Sequence, residues 1–234
     1  MKHTLKVTNV LSDPTRFHIY HYVTNKGDEV TVCEVAEEFN IHPNVARLHL
    51  TKLTDVNMLV SETKKSGKGG RPGKFYRLSE ELVQLTFPYR DYHLLSKITL
   101  QALMSLGDAG IQALYATGKE FGKTLMQQEI AYYGYAKETL TFEQKFSILK
   151  NAAKSAGIQS VFHTDENNDI ISFELCNCPF KECATEHPGN VCQMHISLLR
   201  GIFEALFDTV SLIEGDNMIK GCKSCTYKAF ISQV

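Results

Sequence analysis

Between Ser12 and Ser79 this 234-residue chain alternates helix-start signals with tight turns and closes on a basic, glycine-rich hairpin, an order that few folds accept. In "SDPTRFHIYHYVTN", Ser12 or Asp13 can cap a helix and Pro14 suits its first turn. Phe17, Ile19, Tyr20 and Val23 then recur at helical spacing. "TVCEVAEEFN" predicts a second helix capped by Thr31, with Val32, Val35, Ala36 and Phe39 on one side and Asn40 as terminator. "IHP" is a tight turn, and "PNVARLHLTKLTDVN" opens a third helix with Pro43 in its first turn. On that helix Val45, Leu48 and Leu53 are expected to face inward, and Asn44, Arg47, His49 and Lys52 outward. Two short helices joined by a tight turn form a helix-turn-helix, whose second helix enters the DNA major groove. The outward donors suit base edges and phosphates. A plain helical hairpin with a solvated face is the bland alternative.

The next segment weighs against that alternative. "MLVSETKKSGKGGRPGKFYRLS" reads as strand, polar glycine loop, strand, with Leu59 and Val60 leading in and Phe75, Tyr76 and Leu78 leading out. Its stretch 63–77 holds six basic residues and no acidic one. A hairpin after a helix-turn-helix is a wing. Lys64, Lys65, Lys68, Arg71 and Lys74 are therefore expected at phosphates, with Arg71 placed to enter the minor groove. Charge follows the same division: residues 1–90 carry 13 Lys and Arg against 10 Asp and Glu, and residues 91–234 carry 12 against 16.

"LSDPTRFHIYHYV" resembles the opening helix of ArsR-like winged-helix repressors. "GRPGKFYRLS" is similar to the wing of a related branch that includes the repressors of the iron–sulfur-assembly (Suf) operon. This front resemblance covers about residues 8–80 and implies a sequence-specific, dimeric DNA-binding domain on a near-palindromic double-stranded operator.

Residues 91–136 are rich in Leu, Ala, Gln, Lys and Met at helical spacing and are punctuated by Gly107, Gly110, Gly118 and Gly122. Two or three helices are expected, as a linker and homodimerisation segment or, alternatively, as an intramolecular bundle. Residues 137–234 read as helix, two strands around "DENND", helix, two strands, a small α+β domain. The whole is expected to be α+β: a winged helix-turn-helix over 1–90, the helical segment, and a cysteine-rich domain bearing a metal centre.

Six of the seven cysteines lie between 176 and 225: Cys176, Cys178, Cys192, Cys222 and Cys225 at the element boundaries of that last domain, and Cys183 in the loop between. No apolar run reaches the length of a membrane span, and the start lacks a signal-peptide core, so a cytoplasmic protein is expected. Thiols there stay reduced, and a cluster of them points to metal or redox chemistry. Four thiolates suit a tetrahedral zinc or an iron–sulfur cluster; His187 and His195 are candidate extra ligands, and Cys33, on a helix remote from the cluster, is expected to be packing. "NCPF", "VCQMH" and "CTY" are similar to the spaced ligand motifs of the Suf repressors, which implies Cys178, Cys192 and Cys225 as ligands of a 4Fe-4S or 2Fe-2S cluster. Those repressors carry another cysteine separated from the Cys-Pro step by three residues; here Cys176 is separated from Cys178 by Asn177 alone. Cys222, paired with Cys225 as Cys-x-x-Cys, is the expected fourth ligand, with Cys176 and Cys183 as alternatives.

The expected function is a transcription regulator, of the repressor kind, whose DNA affinity is set by an iron–sulfur cluster. Two alternatives stand beside it: the same regulator with a structural zinc held by four cysteines, and a cysteine-based thiol oxidoreductase fused to a binding module. The chain has no glycine-rich phosphate loop, nucleophile elbow or paired metal-protease histidines, so no enzyme is expected.

Overall fold

The computed structural model describes residues 2–64, 72–83, 85–155, 158 and 160–232. The chain divides into two compact units, Met1–Arg90 and Asp91–Val234.

In the first unit, α1 (Lys2–Leu11) precedes α2 (Pro14–Lys26), whose first turn is capped by the Asp13 carboxylate accepting from the Arg16 N–H. The short strand β1 (Val30–Thr31) leads into α3 (Val32–Glu38), and α4 (Pro43–Thr54) follows. Strands β2 (Leu59–Lys64) and β3 (Gly73–Leu78) pair antiparallel from Leu59↔Leu78 to Lys64↔Gly73. β1 adds to the far side of β3, giving the order β1-β3-β2. Val7, Ile19, Val23, Val35, Leu50, Leu53 and Tyr76 share one core. The α1 helix has no sequence signal as plain as the Asp13-Pro14 start of α2; it is held by burying Val7 and Val10.

The second unit opens with α5 (Tyr92–Ser105) and the 25-residue α6 (Asp108–Tyr132). Then come α7 (Phe142–Ser155), β4 (Ser160–Thr164), β5 (Ile170–Leu175), α8 (Lys181–Glu186), α9 (Pro188–Leu206), β6 (Thr209–Glu214) and β7 (Cys225–Ser232). The four strands make an antiparallel sheet in the order β4-β5-β7-β6. Alternation decides its inner face: Ile171, Phe173 and Leu175 on β5, and Cys225, Tyr227, Ala229 and Ile231 on β7, are buried. Phe203 of α9 stacks on Phe173, and Phe173 stacks on Tyr227, so α9 lies along that face.

α6 is the main neighbour of α9. A Cβ on Gly122 would stand 2.0 Å from the Leu198 carbonyl oxygen, and one on Gly201 would stand 2.0 Å from the Lys119 carbonyl oxygen. Backbone touches backbone at this crossing, and Lys119 and Lys123 close it by ion pairs to Glu204 at 2.8 and 3.4 Å. Residues 91–136 are therefore not a free-standing segment: α6 packs within the same unit as the sheet.

Candidate nucleic-acid interface and thiol cluster

The turn between α3 and α4 is built locally. Asn40 takes a left-handed φ of 49°, which an asparagine tolerates, and ends α3. The Ile41 N–H returns to the Ala36 carbonyl at 2.9 Å. His42 Nδ1 then accepts from the Asn44 N–H at 3.2 Å and caps α4, with Pro43 as its first residue.

The phase of α4 differs from the sequence expectation. Its buried stripe is Ala46, His49, Leu50 and Leu53, while Val45 is 40% and Leu48 55% exposed. His49, expected to face DNA, is only 8% exposed and lies in the field of Asp13 and Arg16 at the start of α2. Burial holds its imidazole below the ordinary pKa, against the raising effect of the Asp13 charge. The small Ala46 lets the neighbouring helices approach, so Ala46, Leu50 and Leu53 form a closer-packing stripe than Val45 and Leu48 would. Asn44, Arg47 and Lys52 are exposed, and the Arg47 guanidinium donates to Asn44 Oδ1 at 3.1 Å.

On the wing, Lys64 is exposed; its Nζ pairs with Glu29 at 2.6 Å and lies 5.6 Å from the centre of the Phe75 ring. The hydrogen bond to Glu29 pushes its pKa up, so Lys64 keeps its charge. Lys74 Nζ lies 5.2 Å from the Tyr76 ring centre. Lys65, Lys68 and Arg71 lie outside the described residues.

The second unit gathers three thiols. Cys225 begins β7 opposite Leu175, the last residue of β5, and Cys178 follows three residues after Leu175. Cys192 sits in the second turn of α9, which covers that sheet face. The charge of Cys225 and of Cys192 is felt at Cys178, and that of Cys192 at Cys225. Cys178 Sγ accepts the Phe180 N–H. Cys225 Sγ accepts the Met218 N–H at 3.3 Å and the Tyr227 hydroxyl. Burial pushes both thiols up, and these donors pull against it. Tyr227, the last residue of "CTY", donates to Cys225 although no role was expected of it; the alternation along β7, which puts it on the same face as Cys225, is the signal that finds it.

The remaining cysteines stand apart. Cys222 is exposed, its Sγ 4.0 Å from Asp216 Oδ1. Cys176 is half-buried, and its thiol is pushed up by burial and by Glu174. Cys183 lies in α8, where a loop was expected, and packs with Leu100, Ala184 and Val191. Cys33, expected to be packing, is exposed on α3. His187 bounds α8 and α9 without a side-chain cap bond, and His195 is buried on α9 with its ring edge-on to Phe180.

Cys178 and Cys225 each accept hydrogen bonds at sulfur, the kind of donor that steadies a metal-bound thiolate. Among the described residues no three His, Cys, Asp or Glu side chains already surround a single metal position. A thiol-exchange enzyme needs a lowered cysteine pKa. The raised thiols of Cys178 and Cys225 are the opposite.

The family described as "Helix-turn-helix domain" matches residues 11–62, from the end of α1 to the start of the wing. A search of curated proteins finds no match. Among solved structures, three likenesses are a trafficking protein particle complex subunit 3 from Naegleria fowleri bound to palmitic acid, the phenol-responsive sensory domain of the activator PoxR with phenol, and Bacillus subtilis PadR with operator DNA. The first has a TM-score of 0.41 at 14% identity and covers 60% of this chain and 97% of the other. The second has a TM-score of 0.44 at 14% identity, covering 79% and 89%. The third has a TM-score of 0.25 at 13% identity, covering 61% and 91%. All three likenesses are too low to fix the fold or function of this chain. No described helix is long and apolar enough to cross a membrane. The α2-α3-α4 arrangement with its three-stranded sheet, and the match over residues 11–62, give the first unit a helix-turn-helix domain followed by a β-hairpin.

Proposed function

We propose that the chain is a homodimeric transcription repressor that lays α4 in the major groove, and whose DNA affinity is set by a thiolate-held centre in the second unit. The observation that carries the DNA-binding part is the outward face of α4, which presents Asn44, Arg47 and Lys52 and whose helix contains no acidic residue. Such a face meets phosphates and base edges without like-charge repulsion. Dimerisation is supported by α5, where Leu94, Leu95 and Ile98 form one exposed apolar stripe. Two copies joined there would present two α4 helices to the halves of a near-palindrome.

The centre is proposed at Cys178, Cys192 and Cys225, as an iron–sulfur cluster with a fourth ligand from Cys222 or Cys176. It supplies a redox-sensitive crosslink between the end of β5, the start of β7 and the start of α9. The three cysteines would tie these elements together, and the Phe180, Met218 and Tyr227 donors would steady two of the sulfurs once a metal has displaced their protons. Oxidation or iron shortage would relax the elements and shift the population of DNA-competent dimers.

The test is protein purified without oxygen, with iron, sulfide and zinc analysis and a visible spectrum, on the wild type and on Cys178→Ser and Cys225→Ser. Matched iron and sulfide with visible absorbance, lost in both variants, is the expected result. One zinc and no colour would make the same thiols a structural clip. Metal content unchanged in both variants would remove the centre from these cysteines. For the DNA part, Arg47→Ala is expected to weaken binding at least tenfold on a duplex selected from a random pool.

A further inference from the structure

Val45 and Leu48 are exposed on the one helix face where water-facing apolar groups are least expected. They lie three residues apart on α4, at 40% and 55% exposure, and are bordered by Asn44, Arg47 and Lys52. The helix has equivalent apolar positions inside, yet it buries Ala46 and His49 and leaves Val45 and Leu48 out. We propose that Val45 and Leu48 are the thymine-reading residues of the regulator, taking the C5-methyl groups of two neighbouring T·A pairs in the major groove. This rests on the reading of α4 as the groove-entering helix.

The chemistry of the groove favours this ligand. Thymine alone among the four bases offers a methyl group on the major-groove edge, and apolar side chains are its matching contact. Three helical residues advance about 4.5 Å along the axis, close to the ~3.4 Å step between base pairs, so the two side chains can address adjacent pairs. Asn44 and Arg47 sit in the same strip with the hydrogen-bonding groups that suit adenine and guanine. The face therefore has a mixed code: polar forks for purines, and branched carbon for thymine. The positive charge of Arg47 and Lys52, with no acid on the helix, favours a nucleic-acid occupant over a basic or neutral protein surface.

The experiment uses the full-length protein and the tightest duplex selected from a random pool. Each thymine is replaced in turn by deoxyuridine, which removes only the methyl. Wild-type protein is expected to lose about fourfold in affinity at each of two neighbouring positions, the worth of one buried methyl. Leu48→Ala should bind less tightly and become indifferent to the substitution at one of them, and Val45→Ala at the other. Wild-type protein that binds selectively but ignores every missing methyl overturns the assignment. So do variants that remain as methyl-sensitive as the wild type, or a Leu48→Ala that dissociates the dimer, which would make the face a protein contact. Absence of sequence-selective binding to any duplex is a different result, and would overturn the DNA-binding reading itself. Both substitutions are at exposed positions, and an unchanged melting temperature confirms that the fold is intact.

Discussion

His195 is 5% exposed, and its Nε2 is buried without a hydrogen-bond partner. Burial pushes its pKa down to about 4. The unfolded chain takes up this proton near pH ~6.5. Stability on this account is complete above about 6.5 and is lost as the pH falls from there toward 4, by up to about 3 kcal/mol. Denaturant melts of metal-free, reduced protein should show that fall, and His195→Leu should flatten it. His49 shifts in the same direction for the same reason, burial, and adds to the acid sensitivity of the first unit. At this scale the sequence is legible where chemistry and spacing coincide. Cys178, Cys192 and Cys225, implied as ligands by the resemblance, are placed just after β5, on the second turn of α9 and at the start of β7, where the predicted element boundaries fall. Cys222 is not legible in the same way, because Cys-x-x-Cys spacing says that two thiols can reach one ion but not which way a turn residue faces; here it faces solvent.

Among elements, the crossing of α6 and α9 is the most demanding contact. Replacing Gly122 or Gly201 by Ala puts a carbon 2.0 Å from a backbone carbonyl, where no side chain can move aside. Each substitution should destabilise the second unit by about 2–3 kcal/mol in thermal or denaturant melts. Gly189→Ala, with no atom within 4 Å of the added carbon, is the control and should change little. In the sequence these glycines read as punctuation. Only Gly107, at φ 61°, interrupts the helices; Gly118 and Gly122 are inside α6 because a close neighbour needs the room. The phase of α4 departs from expectation for a related reason. Apolarity favours burying Val45 and Leu48, but packing rewards the small Ala46 and tolerates His49. The strands of the second unit are easier to read, since alternation and the "DENND" turn mark them; β4 and β5 meet there with Asn168 at φ 60°.

For the whole molecule, the change in charge balance near residue 90 coincides with the boundary between the two compact units. Each has its own core, and the core residues of one do not recur in the other. Helical periodicity in residues 91–136 could not reveal where those helices would pack, because the partner surface on α9 lies far along the chain, within Pro188–Leu206. Association is the testable property at this scale. Ile98, 57% exposed on α5, should tolerate a charge in a monomer but not in a dimer seam. Ile98→Glu is expected to convert the dimer to monomer by sedimentation, and to weaken binding to a two-half-site duplex at least tenfold while a single half-site is hardly affected. An unchanged sedimentation coefficient would remove α5 from the proposed seam.

The glycine crossing has a mechanical side. α9 carries Cys192 in its second turn and Gly201 nine residues on, where it rests on α6 with no side chain between the backbones. A joint without side chains has no rotamers to absorb a displacement. A displacement at Cys192 is therefore passed along α9 to the backbone of α6 at Gly201 instead of being taken up by side chains, and α6, 25 residues and about 37 Å long, runs through the unit's core.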